Sequence, residues 1–131
     1  MFDWVDYLGL AHEMVTQGEP SGAPEESRLR CAVSRAYYAA FGRAKVYLSD
    51  LYGPGKLPQT ADVHEYVISQ FRDDSDDQVW RAIGADLERL REYRNMADYR
   101  ENAHGWTAKA TASLVYGKRA VQGVEGLGLR P

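Results

Sequence analysis

At 131 residues, 44% of them hydrophobic, the chain has enough apolar material for one packed core and too much for a disordered polymer. Its 16 basic and 19 acidic residues leave a net charge of -3, so no global basic field draws nucleic acid and any such contact must be a local patch. The single cysteine, Cys31, allows neither an internal disulfide nor a cysteine-based metal cage, which points to a reducing, cytoplasmic setting.

The first segment carries Trp4, Leu8, Ala11 and Val15 at helical spacing and stops at Gly18, before the loop-forming Pro20, Gly22 and Pro24. Asp3, Asp6 and Glu13 among its apolar positions do not suit a signal peptide. No apolar run in the chain approaches the length needed to span a bilayer. A second helix is expected from residues 24–27, where Glu25 and Glu26 complement the positive helix end, to about Leu51. Leu29, Val33, Ala36, Ala40 and Ala44 line one side, and Tyr37 and Phe41 widen it. Gly53-Pro54-Gly55 stops it.

A short third helix follows, with Val63, Val67, Ile68 and Phe71 as its stripe and Thr60 or Asp62 as its cap. The acidic turn Asp73-Asp74-Ser75-Asp76-Asp77 reads as the cap of the next helix; it lacks the glycine and glutamate spacing of a calcium loop. That next helix spans about Asp76 to Arg100, and Asn102-Ala103-His104-Gly105 breaks the chain after it. A last helix is expected from Trp106 to about Val121, and the glycine-rich end, residues 122–131, is expected to fray. No segment alternates with period two. The expected fold is all-α: a single domain over residues 1–121, an antiparallel up-and-down bundle of about five helices, four long and one short. Trp4, Trp80 and Trp106 read as core residues, Cys31 as an inert core thiol and His12 as structural.

The fourth helix holds the most informative residue. Ile83, Leu87, Leu90, Arg94 and Ala97 recur at the spacing of an amphipathic seam, and one of them is arginine. A guanidinium cannot lose its proton, so in a seam it requires a carboxylate or a phosphate. Asp98, one turn on, is the nearest candidate. The pair reads either as a structural tie between helices or as part of a ligand site in which Asp98 competes with phosphate unless Arg35 or Arg91 adds charge. Tyr38 is expected to direct its hydroxyl to a polar partner.

Three stretches carry a resemblance: Ser34-Arg35-Ala36-Tyr37-Tyr38-Ala39-Ala40-Phe41, the short helix bearing His64, and Arg94-Asn95-Met96-Ala97-Asp98-Tyr99. Together, over roughly residues 25 to 121, they resemble HEPN-domain proteins, more narrowly a small stand-alone branch with an Arg-x-x-Ala-Asp-Tyr signature. The resemblance implies a HEPN-like bundle of four or five helices that pairs as a homodimer. It also implies a role in a toxin–antitoxin or defence system, with a partner such as a nucleotidyltransferase.

In many such proteins an arginine, a polar residue and a histidine four to six residues on cleave RNA without a metal or cofactor. The histidine moves the ribose 2′-hydroxyl proton and the arginine holds the phosphate. Here Arg94 and Asn95 match, but Tyr99 stands where histidine is expected. A phenol, with an ordinary pKa of about 10, is a poor base at neutral pH. His64 is then the best candidate base, with a helix-end structural histidine as the alternative. In related systems a tyrosine beside this arginine accepts a nucleotide, which singles out Tyr99. Two readings stand: an interaction module, with Arg35, Tyr38 and Asp98 as binding residues, or a metal-independent ribonuclease using Arg94, Asn95, Tyr99 and His64.

Overall fold

The computed structural model describes residues 2–16, 24–74 and 76–128. Among them are five helices and no strand: α1 (Asp6–Thr16), α2 (Glu25–Tyr52), α3 (Val63–Arg72), α4 (Gln78–Tyr99) and α5 (Trp106–Leu127). They form an all-α antiparallel bundle with α2 at its centre, packed against each of the other four. The small residues of α2 explain that position. Ala32, Ala36, Ala39, Ala40 and Ala44 are essentially fully buried and let neighbouring helices come close. No helix among the described residues is long and apolar enough to cross a membrane.

The local signals at the starts of α2 and α4 act as the sequence suggests. Glu25 and Glu26 occupy the first turn of α2, after Pro24. Asp77 caps α4, its carboxylate accepting the Val79 N–H at 2.8 Å. Asp73 pairs with Arg72 instead. The expected Asp62 cap of α3 makes no side-chain bond; Thr60 Oγ1 accepts the Asp62 N–H at 3.3 Å in the turn before the helix. The loop expected after Gly18 falls on residues 17–23, outside the described residues.

Two expectations about helix length need correction. The division into four long helices and one short is three long and two short, because α1 has only 11 residues. Its start is delayed by a turn in which Asp3 Oδ1 accepts the Val5 N–H at 3.0 Å. The second correction concerns the glycine-rich end. Helix α5 continues to Leu127 instead of ending near Val121. Burial overrides composition here: Val124 is fully buried, and Gly123 sits where an added Cβ would lie 2.9 Å from the Ile83 side chain. The Tyr47 hydroxyl then donates to the Gly128 carbonyl at 3.1 Å, tying the helix end to α2. Residues 129–131 lie outside the described residues.

Trp80 and Trp106 are buried, whereas Trp4 is half-buried, its ring lying where a Gly42 side chain would be. Cys31 is half-buried rather than sealed in the core. The main core unites all five helices, with Ala11 from α1, Tyr37 and Leu48 from α2, Phe71 and Ile68 from α3, Leu87 and Leu90 from α4 and Val124 from α5. A smaller core of Leu29, Val33, Ala97, Trp106 and Ala110 joins the start of α2 to the end of α4 and the start of α5. That second core holds the segment bearing Arg94 and Asp98.

Candidate functional site

Arg94 projects from α4 towards α2 with its side chain 15% exposed. Every nitrogen of its guanidinium meets a protein group. Nε lies 3.1 Å from Asp98 Oδ2, a close ion pair in which the N–H is not aligned for a hydrogen bond. Nη1 donates to Asn95 Oδ1 at 2.9 Å, and Nη2 donates to the Tyr38 hydroxyl. The guanidinium also lies 5.2 Å from the Tyr38 ring centroid, 5.8 Å from that of Tyr37 and 5.6 Å from that of Tyr99, within the reach of cation–π attraction. Ser34 donates to the same Asp98 oxygen at 3.5 Å. Ser34 and Tyr38 are one helical turn apart on α2, so a single face of that helix supplies both groups.

A second polar pair adjoins the first. The Tyr37 hydroxyl and His64 Nδ1 are 2.6 Å apart, and the imidazole stacks on Phe41 at 4.3 Å. Burial pushes the Tyr37 phenol well above its ordinary pKa, against the pull of Arg91 and Arg94. Burial lowers the His64 pKa, and the positive charges of Arg94, Arg91 and Lys45 lower it further. The phenol therefore keeps its proton and the imidazole is biased towards its neutral form, and the imidazole's tautomer sets which of the two donates in their contact. Among the described residues no hydrogen bond joins His64 to Arg94; both flank Tyr37.

This charge state sets a pH dependence. The folded His64 binds its proton less readily than the unfolded one, whose pKa is about 6.5. The unfolded chain thus takes up the proton first as pH falls. Stability should decline as pH drops below about 6.5 and level off below the lowered folded-state pKa. Urea midpoints measured between pH 7.5 and pH 4.5 should show this slope, and His64→Gln should remove that part of it. An unchanged slope in the variant would place the linkage elsewhere.

The structure thus brings Arg94, Asn95, Asp98, Tyr38, Tyr99 and His64 to one region between α2, α3 and α4. It does not bring Arg35, whose guanidinium lies 5.0 Å from the Tyr7 ring centroid at the contact with α1. Arg91 is held by Glu65 at 3.1 Å. Tyr99 is 72% exposed beside the half-buried cation, its ring the open edge of the region.

Two contributors escaped the sequence reading. Ser34 carried a legible signal, its spacing from Tyr38. Arg30 carried none: from α2 it donates to the carbonyls of Met96, Ala97, Arg100 and Glu101 at the end of α4, closing that terminus beside Asp98.

These features define a helical-bundle protein whose central seam holds a hydrogen-bonded cation beside a neutral histidine–phenol pair. Comparison of the chain with family models, curated proteins and solved structures gave no match.

Proposed function

We propose that the chain is a HEPN-like helical interaction module. It pairs with a second copy of itself and acts in the cytoplasm, within a toxin–antitoxin or defence system, together with a partner such as a nucleotidyltransferase. The motif resemblance across α2, α3 and α4 supports this reading, and the all-helical bundle accords with it. The observation that carries the choice of module is the engagement of Arg94. Its three nitrogens face Asp98, Asn95 and Tyr38, so the guanidinium ties α2 to α4 and a phosphate would have to displace a carboxylate already in place. Tyr99, exposed above that cation, is the residue we assign to nucleotide acceptance.

The alternative is a metal-independent endoribonuclease in which Arg94 grips the phosphate, Asn95 positions it and His64 or Tyr99 handles the proton. One observation favours it: burial and the nearby cations bias His64 towards the neutral imidazole, and the Tyr37 hydroxyl fixes the ring's position, so the protonation state a general base requires is at hand. Incubation of the purified protein with single-stranded RNA in EDTA separates the two, with light scattering to give the oligomeric state. The module predicts a dimer and no cleavage. Cleavage that survives EDTA but is lost in folded Arg94→Lys and His64→Gln variants would establish the enzyme, and a monomer at micromolar concentration would overturn the pairing.

A further inference from the structure

The α4–α5 surface carries a second arginine cluster, separate from Arg94. Asp86 is 4% exposed, and Arg119 neutralises it through a two-pronged contact, with Nε donating to Oδ2 at 2.9 Å and Nη2 to Oδ1 at 2.6 Å. The Arg119 side chain is nevertheless 61% exposed. Its guanidinium lies 5.3 Å from the Tyr116 ring centroid, and that of Arg89 lies 5.5 Å from the same centroid. Arg89 is exposed and donates from Nη1 to the Tyr116 hydroxyl at 3.0 Å. Tyr93 stacks on Tyr116 with centroids 6.4 Å apart.

The two arginines are thus held in place by groups beneath them. Among the described residues, Arg119 Nη1 and Arg89 Nε and Nη2 have no hydrogen-bonded partner. Asp86, the carboxylate at the cluster, is spent on Arg119, so two cations face one anion in a chain of net charge -3. Glu92, three residues along α4, is a neighbour of Arg89 on the helix surface, and among the described residues it forms no ion pair with it. Fixed guanidiniums with free N–H groups suit a tetrahedral oxyanion, because phosphate oxygens accept paired N–H donors and little side-chain entropy remains to be lost.

We propose that Arg89 and Arg119, braced by Tyr116 and Asp86, form a binding site for a phosphate group, free or carried on a mononucleotide. The site is independent of the HEPN-like reading. Amide chemical shifts of the full ¹⁵N-labelled chain, followed during titration with inorganic phosphate and separately with AMP, test it against sodium chloride at matched ionic strength. The expected result is a saturable shift centred on Arg89, Tyr116 and Arg119 with at least one of the two ligands. Saturation by both assigns the bare group, and saturation by AMP alone assigns the nucleotide.

Arg89→Gln should weaken the binding about tenfold, the effect of losing one charge-assisted contact. Arg119→Ala strands the Asp86 carboxylate and can unfold the chain, so the double variant Asp86→Asn with Arg119→Gln serves instead and should weaken binding similarly. The proposal is overturned if no shift saturates or if chloride reproduces it. Shifts centred on Arg94 and Tyr38, or either variant binding as tightly as the parent, would overturn it equally.

Discussion

Arg94→Ala should lower the stability of the bundle by about 2–3 kcal/mol, somewhat below the usual cost of breaking a fully buried pair because Asp98 is partly solvated. The substitution removes the donor to Tyr38 and Asn95 and the counter-charge of Asp98 in one step. Among the described residues it leaves the Asp98 carboxylate with Ser34, at 3.5 Å, and it opens a gap between α2 and α4. Urea denaturation at pH 7 measures the loss. A second variant shows its origin. Arg94→Met combined with Asp98→Asn keeps the volume and removes both charges, so it should recover more than half of the loss. If the double variant is as unstable as Arg94→Ala, the stabilisation resides in the Tyr38 contact and not in the ion pair. If Arg94→Ala costs less than about 0.5 kcal/mol, in the range of an exposed pair, the seam cation holds nothing together.

Gly84→Ala should be more damaging than its chemistry suggests. On an exposed helix this exchange stabilises by up to about 1 kcal/mol. Here the added Cβ would lie 2.5 Å from the Arg72 nitrogen and 2.6 Å from its Cα, where α3 ends against α4. The obstacle is backbone, so no side chain can swing away; α3 must move. That shift breaks the fit of Phe71 on Trp80, whose rings stack at 4.7 Å, and loosens the contacts of Arg72 with Glu88 and Glu65. The expected cost is about 2–4 kcal/mol, at the upper end of overpacking effects, read as a fall in the thermal midpoint. Because α3 also carries His64, the same variant should disturb the Tyr37 contact, visible as a changed His64 titration by NMR. A variant of parental stability would mean that α3 is not pinned at this point.

Much of the site was legible because its first contact is local. Arg94 and Asp98 are one turn apart on one helix, and helical spacing alone puts them together. The same argument reads Glu25, Glu26 and Asp77 as residues of helix starts. Arg35 lies apart from Arg94 for a related reason. It adjoins Ser34 in the chain, yet successive residues point about 100° apart on a helix, and the interface with α1 takes Arg35 to Tyr7 while Ser34 and Tyr38 face α4. The end of α5 was misjudged because glycine content describes an isolated helix, whereas Val124 and Gly123 report what the rest of the bundle can bury.

The amino-acid order by itself determined the five helices, the ends of α2, α3 and α4 to within a few residues, the apolar seam of α4 and the carboxylate that answers Arg94. These rest on spacings within one segment, where a period of 3.6 residues leaves little choice. Only the tertiary structure decided that Tyr38 meets the guanidinium, that Tyr37 meets His64, that Arg30 closes α4 and that Arg119 covers Asp86. Those contacts join residues far apart in the chain. They depend on how each helix is rotated and pressed against its neighbours, and packing of the whole core sets that rotation.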